Sequence, residues 1–418
     1  MNKKSITALA LTAAIVSSIA MTGCESTVKF DLPTYVDDKE ITLGIWNGSH
    51  HDLSDFELQN LQDAGINLLI GQYVKKTPLV DFIDRCAEFG LDIIPDQRPW
   101  DGTVPEFMDR ENFLGFCVYD EPFVGNFETL KRMKEEYSQK MGDKMFFVNL
   151  LPSGGAETDF ESYLSMYVRD VGVPVCSYDN YSLILDADTG EVTIRENYLY
   201  DFSIASKVAE ENNVPFWYTF LTAGHLKYTD PTVTELEWQM YLGMTYGATA
   251  LVNYIYSSHD PDYVYPIVDM SGNPTEKYYR VKEANETIRS WDHIYMSFDW
   301  LGTSNVEGTN GATGLLDWTV YQQEINHYGT IASATATEDV VVGHFKDGEN
   351  NAGFMVTNVT NPVENLSSEV SMKLSSEYKG AIVIHEGEEK IVTLSNGKLD
   401  IEIPAGSAMF VIPLKAAK

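Results

Sequence analysis

The sequence is poor in basic residues and in cysteine. It has 29 Lys and Arg against 62 Asp and Glu, which gives a formal net charge of −33. This charge argues against a nucleic acid or an anionic membrane bound by charge, but it does not repel a neutral polymer. The chain also lacks a glycine-rich phosphate loop, a Ser or Cys nucleophile motif and a metal triad, so neither a cofactor nor a metal ion is expected.

Cysteine is too sparse for a disulfide framework. Only four occur in 418 residues, and none is spaced as CxxC or as a zinc set. Cys86, Cys117 and Cys176 each lie among apolar neighbours. We therefore predict buried free thiols at these three positions.

The N-terminus has an apolar run that is too short for a comfortable membrane span. Two lysines precede this run, residues 6–21, and a Thr-Gly-Cys sequence ending at Cys24 follows it. A small residue before a cysteine at such a position resembles the bacterial lipoprotein signal. The resemblance implies a signal peptide over 1–23, a lipid on Cys24 and a tether over 24–39. It also implies an extracytoplasmic protein, anchored to a membrane in the periplasm or at the cell surface.

One pattern recurs along the chain after this segment. A helical stretch ends in Gly or Asn, which supplies the left-handed residue that stops it, and an apolar run follows at once. Runs that are polar only at their far end are typical of parallel strands buried on both faces. Together with three similar runs they give eight predicted strands, at 41–48, 64–73, 89–98, 113–122, 145–153, 171–181, 212–220 and 246–256.

The segments between these strands have helical spacing, and the third connection is the least convincing. Ser54 with Glu57 and Thr232 with Glu235 form the capping-box pattern that begins a helix. Eight strands alternating with helices over about 250 residues predict an α/β fold, a (β/α)₈ barrel, over residues 40–300. An open doubly wound sheet is the alternative, but no G-x-G-x-x-G follows the first strand.

Three further segments are predicted from their composition. Two alternating runs around Asp188-Thr189-Gly190 predict a β-hairpin over 183–195. Residues 301–337, rich in Gly, Thr, Ser and Asn, are predicted to be an irregular linker. Short alternating runs over 338–418 predict a small antiparallel β-sandwich.

Active sites of such barrels lie at the carboxyl ends of the strands, so polar residues there are the candidates. We predict the substrate ligands and catalytic groups among Trp46, Gln72, Arg98, Asp120, Glu121, Asn149, Asp179, Asn180, Tyr181, Tyr218, His225 and Tyr254. Carboxylates and amides bind hydroxyl groups, and aromatic rings stack on apolar sugar faces, so the set suits a neutral glycan. Cleavage of a glycosidic bond needs one protonated carboxyl and a second carboxylate.

The sequence Asp120-Glu121-Pro122 at the end of the fourth strand resembles the (β/α)₈ glycoside hydrolases, many of which have Asn-Glu-Pro there. The resemblance covers residues 40–300. It implies a carbohydrate substrate and a general acid/base role for Glu121. The predicted seventh strand, FWYTFLTAGH, has no Glu where the group has its nucleophile.

The missing Glu leaves the second carboxylate open. Asp179 is the first choice for it and Asp96 is the reserve. Each acid also has a simpler interpretation, a turn residue for Glu121 and an Asx-turn for Asp179, and each aromatic candidate has a packing role as its alternative. Two functions therefore remain, a lipid-anchored glycoside hydrolase and a glycan-binding lipoprotein on a non-catalytic barrel. The oligomeric state is not predicted.

Overall fold

The computed structural model describes residues 28–36, 39–49, 51–71, 78–258, 262–264 and 266–417. The predicted lipidation site Cys24 and the predicted ligand Gln72 lie outside these residues. In the part that is described, a parallel β-region with helices is followed along the chain by a separate antiparallel β-region.

Eight strands make up the parallel region. In chain order they are β1 (Thr42–Trp46), β2 (Leu68–Ile70), β3 (Asp92–Ile94), β4 (Gly115–Asp120), β5 (Met145–Asn149), β6 (Cys176–Asp179), β7 (Phe216–Leu221) and β8 (Ala250–Tyr254). Their regular ladders form one sheet of six, in the order β3-β2-β1-β8-β7-β6, and one pair, β4-β5. These ladders do not close into a barrel.

Isolated parallel bridges join the edges of the two sheets. Ile93 pairs with Phe113 and Asp96 with Cys117 between β3 and β4, and Leu150 pairs with Tyr178 between β5 and β6. Because all these pairings are parallel, the carboxyl ends of all eight strands lie on one face. We call this the carboxyl face.

Helices alternate with the strands. They are α1 (Asp55–Asp63), α2 (Leu79–Glu88), α3 (Phe127–Met141), α4 (Phe160–Ser165, continued by a π-helical turn over Met166–Val171), α5 (Tyr198–Glu211), α6 (Val233–Thr245), α7 (Glu276–Arg289) and α8 (Asp292–Tyr295). The predicted capping boxes at Ser54 and Thr232 are confirmed. Residues 95–114, all of which the structure describes, contain no α-helix between β3 and β4, the connection for which the sequence signal is weakest.

Side chains alternate between two cores across each parallel strand. Cys117, Phe147, Trp217 and Val252 belong to an interior core on one face of the strands. Their neighbours in sequence, such as Phe146 and Tyr218, belong to an outer core shared with the helices. Which of the two faces a residue occupies therefore decides whether it can reach the interior.

The antiparallel region has nine strands: β9 (Phe298–Val306), β10 (Ile331–Ala336), β11 (Val340–Asp347), β12 (Ala352–Asn358), β13 (Ser368–Leu374), β14 (Tyr378–His385), β15 (Glu388–Thr393), β16 (Lys398–Ile403) and β17 (Ala408–Lys415). They form a six-stranded sheet, β9-β11-β12-β17-β14-β15, and a three-stranded sheet, β10-β13-β16. Helix α6 packs against the larger sheet, where Trp238 Nε1 donates to Asn358 O at 3.1 Å.

Two predicted boundaries need correction. The predicted linker, 301–337, contains most of β9 and all of β10, which pair with β11 and β13. Its Gly, Ser and Thr residues hide the alternation of apolar side chains on which the prediction depends. Within the predicted tether, Phe30 forms a bridge with Ala416, so residues 28–36 contact the antiparallel region rather than extending freely.

Three other features are settled. Leu183–Leu185 pairs with Val192–Ile194, which confirms the predicted hairpin. Cys86, Cys117 and Cys176 are confirmed as buried free thiols. Within the described ranges, no helix is long and apolar enough to cross a membrane.

Candidate active site

Two neighbouring carboxylates reach the carboxyl face at the end of β4. Asp120 is the last residue of the strand, and Glu121 follows it with a left-handed backbone, φ 50°. That conformation is uncommon outside glycine. It is held here by the bond from Glu121 N to Asn149 O, 2.8 Å, at the end of β5. The left-handed residue breaks the strand alternation, which allows both acids to lie on the same side.

The carboxyl groups of Glu121 and Asp179 are neighbours that lie within hydrogen-bonding reach of each other. Asp179 ends β6 and is only 5% exposed, whereas Glu121 is exposed at the carboxyl face. A carboxylate has no proton to donate, so a hydrogen bond between two carboxyl groups requires one of them to be protonated. We call Glu121 and Asp179 the acid pair.

Burial and neighbouring charge favour the protonated form of this pair. Burial, followed by the charges of Glu121 and Asp120, raises the pKa of Asp179 well above the usual range of a carboxyl. The pKa of Glu121 is raised by partial burial of its carboxyl and by the charge of Asp120. The pair therefore keeps its shared proton to a higher pH than an ordinary carboxyl does.

Asn149 bridges the acids of β4 and β6. Its Nδ2 donates to Asp179 Oδ1 at 2.9 Å and to Asp120 Oδ1 at 3.4 Å. Its Oδ1 accepts from Ser177 Oγ at 3.1 Å, which fixes the orientation of the amide. The Asn149 side chain thus lies between two carboxyl groups, those of Asp120 and Asp179.

Arg98, which follows β3, binds two aspartates at once. Its Nη1 donates to Asp120 Oδ2 at 2.8 Å, and its Nη2 donates to Asp96 Oδ2 at 2.6 Å. Its Nε donates to both oxygens of Asp96 at 3.0 Å. Asp96, the reserve for the second carboxylate, is therefore paired with Arg98, and Asp179 is the acid that meets Glu121.

Five aromatic residues form a cluster that we call the aromatic wall, and it reaches the acids through Tyr181 and Tyr254. The five are Tyr181, His225, Tyr228, Tyr254 and Tyr263. Tyr181 stacks on Tyr254 at 5.4 Å, and His225 stacks on Tyr263 at 4.6 Å. The wall combines apolar ring surface with phenol groups, as a sugar-binding surface requires.

Sequence reasoning missed Tyr228 and Tyr263, since both lie beyond the ends of the predicted parallel strands. Gly224–His225 pairs with Tyr263–Val264 as two short antiparallel strands, and His225 also forms a bridge with Tyr228. This pairing beyond the strand ends brings the two tyrosines to His225. The alternating residues YVY at 263–265 were the only sequence signal.

Two predicted ligands lie on the opposite face of their strands. Tyr218 is fully buried in the outer core, where its hydroxyl contacts Tyr198 Oη at 2.6 Å and donates to Asn180 O at 3.0 Å. Asn180 is also fully buried, with its Oδ1 accepting from Arg195 at 3.3 Å. Side chains alternate between the two faces of a strand. Tyr218 precedes the inward residue Thr219 and Asn180 follows the inward residue Asp179, so both point outward.

Trp46 faces the interior but is only 6% exposed. Its ring packs against Phe147 at 6.1 Å, and its Nε1 donates to Thr219 Oγ1 at 3.4 Å. From these contacts we interpret Trp46 as a packing residue beneath the carboxyl face.

The donor set around the acid pair is that of an acid–base site. Among the described residues no group of three or more His, Cys, Asp or Glu side chains is arranged to hold a metal ion. What the arrangement offers is two neighbouring acids whose pKa values are raised, the fixed amide of Asn149 and aromatic surface.

Comparison with known proteins places this geometry on a known fold. No protein-family model and no curated protein matches the sequence. Among solved structures, a glycoside hydrolase matches at a TM-score of 0.53 and 10% identity, over 90% of this chain and 93% of that one. A proposed α-galactosidase of Bacteroides fragilis matches at 0.50 and 10% identity, over 90% and 80%. The chain has a divergent glycoside hydrolase-like fold.

Proposed function

We propose that the protein is a lipid-anchored, extracytoplasmic glycoside hydrolase that acts on a neutral oligo- or polysaccharide. In this proposal the eight parallel strands form a (β/α)₈ barrel, closed by the single bridges on both sides of the β4-β5 pair. The glycoside hydrolase-like fold supports the class. The carboxyl face is then the mouth of the barrel, where enzymes of this architecture hold their active sites.

The juxtaposition of Glu121 and Asp179 at the carboxyl face is the single observation that carries the proposal. Hydrolysis of a glycosidic bond uses one carboxyl to protonate the leaving oxygen and a second as nucleophile or as base for water. Inverting enzymes separate the two by roughly 6.5–9.5 Å to admit a water, and retaining enzymes by about 5 Å. Two neighbouring carboxyls are closer to the retaining arrangement than to the wider inverting one, so we propose the retaining route.

Within the pair we assign Glu121 as general acid/base and Asp179 as nucleophile. Glu121 is exposed at the face and can reach a glycosidic oxygen, whereas Asp179 is held by Asn149. The deeper burial of Asp179 favours the reverse assignment, since burial holds a proton. Added azide distinguishes the two assignments. A variant that lacks the nucleophile gives a glycosyl azide of inverted configuration. A variant that lacks the acid/base gives a glycosyl azide of retained configuration.

The test is turnover on a panel of aryl glycosides and natural glycans. The wild type should cleave at least one member, and Glu121→Gln should lower kcat on it by roughly 10²–10⁴-fold, the contribution of a general acid. Arg110→Gln, which removes the exposed Arg110–Asp84 ion pair, is the matched control and should retain turnover. Wild-type turnover in Glu121→Gln would overturn the assignment.

One observation favours a second function, a glycan-binding protein without catalysis. The end of β7 supplies Thr219 and, just beyond it, Thr222, but no carboxylate. Calorimetry on the same panel distinguishes the two functions. Binding without cleavage by the wild type would favour the binding protein.

The lipid anchor rests on the sequence up to Cys24. Metabolic labelling with a palmitate analogue should mark the wild type, and Cys24→Ser should remain unlabelled and leave the membrane fraction. Membrane-bound, labelled Cys24→Ser protein would contradict the anchor.

A further inference from the structure

A continuous set of contacts connects Arg98 to the acid pair. The guanidinium binds Asp96 and Asp120, Asp120 accepts from Asn149, and the same Asn149 nitrogen donates to Asp179. Asp179 in turn lies within hydrogen-bonding reach of the Glu121 carboxyl. Three carboxyl groups, Asp120, Glu121 and Asp179, therefore lie in one hydrogen-bonded cluster beside a single guanidinium.

We propose that Arg98 is a positioning residue. Its guanidinium, held in place by Asp96, keeps Asp120 ionised. It thereby confines the shared proton to Glu121 and Asp179. The proposal rests on the proposed function, because it assigns Arg98 a part in the same acid–base chemistry. It also replaces the predicted role of Arg98 as a direct ligand of the substrate.

The position of the proton in the cluster depends on Arg98 for electrostatic reasons. Asp120 is half-buried and next to the acid pair, so burial raises its pKa, and the charge and hydrogen bonds of Arg98 and the amide of Asn149 oppose that rise. Without the guanidinium, Asp120 would compete for the proton that Glu121 and Asp179 share. A protonated Asp120 would also no longer be a pure acceptor for Asn149 Nδ2, which would loosen the amide that holds Asp179.

The geometry of Arg98 suits it to this role. Its three guanidinium nitrogens are all used, in a fork that Lys cannot reproduce. Because Nε and Nη2 both donate to Asp96, Nη1 is the nitrogen left for a second acceptor. It donates to Asp120.

Other titratable groups face the cluster from every side. They are Asp96 and Arg98 after β3, Cys117 in β4, Tyr163 in α4, Tyr181 after β6 and Tyr254 in β8. Burial raises the pKa of each thiol and phenol, so none of them ionises in the range where carboxyls do. Arg98 is therefore the cation among these groups that can act on Asp120 at neutral pH.

The experiment measures the protonation of Asp120 with and without Arg98. Carboxyl ¹³C NMR titrations of the full chain, with Asp120→Asn used to assign the resonance, compare the wild type with Arg98→Gln, Arg98→Lys and the control Arg110→Gln. We expect the pKa of Asp120 to rise by about one unit or more in Arg98→Gln and by less in Arg98→Lys, which keeps the charge. Arg110→Gln should leave it unchanged.

A second readout uses the pH profile of kcat/KM. Loss of the cation should move the acid limb of Arg98→Gln toward higher pH by about one unit, a change that general loss of folding does not produce. If Arg98→Gln fails to fold, Arg98→Lys should show the smaller shift in the same direction. An unchanged Asp120 titration in a folded Arg98 variant overturns the proposal. If the wild type cleaves no glycan but the titration moves as expected, the role of Arg98 in proton placement stands and the proposed function fails.

Discussion

Two buried carboxyl groups lie on opposite sides of the parallel strands and differ in their neighbours. Asp179 ends β6 on the interior side, between Asn149 and the carboxyl of Glu121. Asp201 lies in α5 on the outer side and accepts one bond, from Ser153 N at 3.3 Å. Burial raises the pKa of both, to about 7 for Asp201.

The difference teaches that a raised pKa does not by itself mark an active site. For Asp201, burial alone raises the pKa, and its Oδ1 has no hydrogen-bond partner in the part of the chain that the structure describes. For Asp179, the charges of two other acids add to burial. Like charges forced together at a face that a substrate can reach indicate chemistry, whereas an isolated buried acid only costs stability.

The largest predicted effect is a difference in kcat between variants of two neighbouring residues at the end of β6, Asp179 and Asn180. Asp179→Asn should lower kcat by roughly 10⁴–10⁶-fold, as loss of a nucleophile does, without loss of stability, because it removes a desolvated acid. Asn180→Ala should do the reverse, since it loses buried bonds to Tyr198 O and Arg195. We expect it to lose about 1–3 kcal/mol of unfolding free energy and to retain kcat. Steady-state kinetics and urea unfolding measure both, and equal loss of kcat in the two variants would break the comparison.

The next effect concerns the pH dependence of stability. Asp201 has a folded-state pKa of about 7 against a model value of 3.8, so its ionisation destabilises the fold as pH rises between those values. Asp201→Asn cannot ionise and should be more stable than the wild type above pH 7. Each pKa unit is worth about 1.4 kcal/mol, which limits the gain to about 4 kcal/mol.

That gain should disappear as pH falls toward 4, because the wild-type carboxyl is then protonated in both states. Urea unfolding at several pH values measures it. A gain that is independent of pH would show that Asp201 is not the titrating group. Turnover should be unaffected throughout.

The smallest effect concerns the outer face of β7. Tyr218→Phe removes a hydroxyl that contacts Tyr198 and donates to Asn180 O, which should cost about 1 kcal/mol of unfolding free energy. Because this hydroxyl lies in the outer core, KM and kcat should not change. An increase in KM for every substrate would restore Tyr218 as a ligand.

Much of this fold could be predicted from the sequence, because regular periodicity carries it. The segment between the fourth and fifth predicted strands, which has helical spacing, forms α3, and both capping boxes form. The six- and three-stranded antiparallel sheets were predicted less well, since β9 and β10 lie in a segment whose small polar residues hide their alternation.

The site was harder to predict because it depends on side-chain direction at single residues. Asp179 and Asn180 differ by one position, and only the pairing of β6 with β7 decides which of them faces inward. The left-handed backbone of Glu121 has no sequence signature of its own. Arg98 was predicted as a ligand, and its pairing with two aspartates depends on contacts between β3 and β4 that no local pattern encodes.

The most direct test of the account is the titration of the acid pair in the protein without substrate. Carboxyl ¹³C NMR should find that Glu121 and Asp179 titrate together, with one step well above the usual carboxyl range. Removal of the neighbouring charge in Glu121→Gln should lower the pKa of Asp179. Two independent titrations at ordinary carboxyl pKa values would contradict the shared proton, and with it the assignment of this pair as the catalytic site.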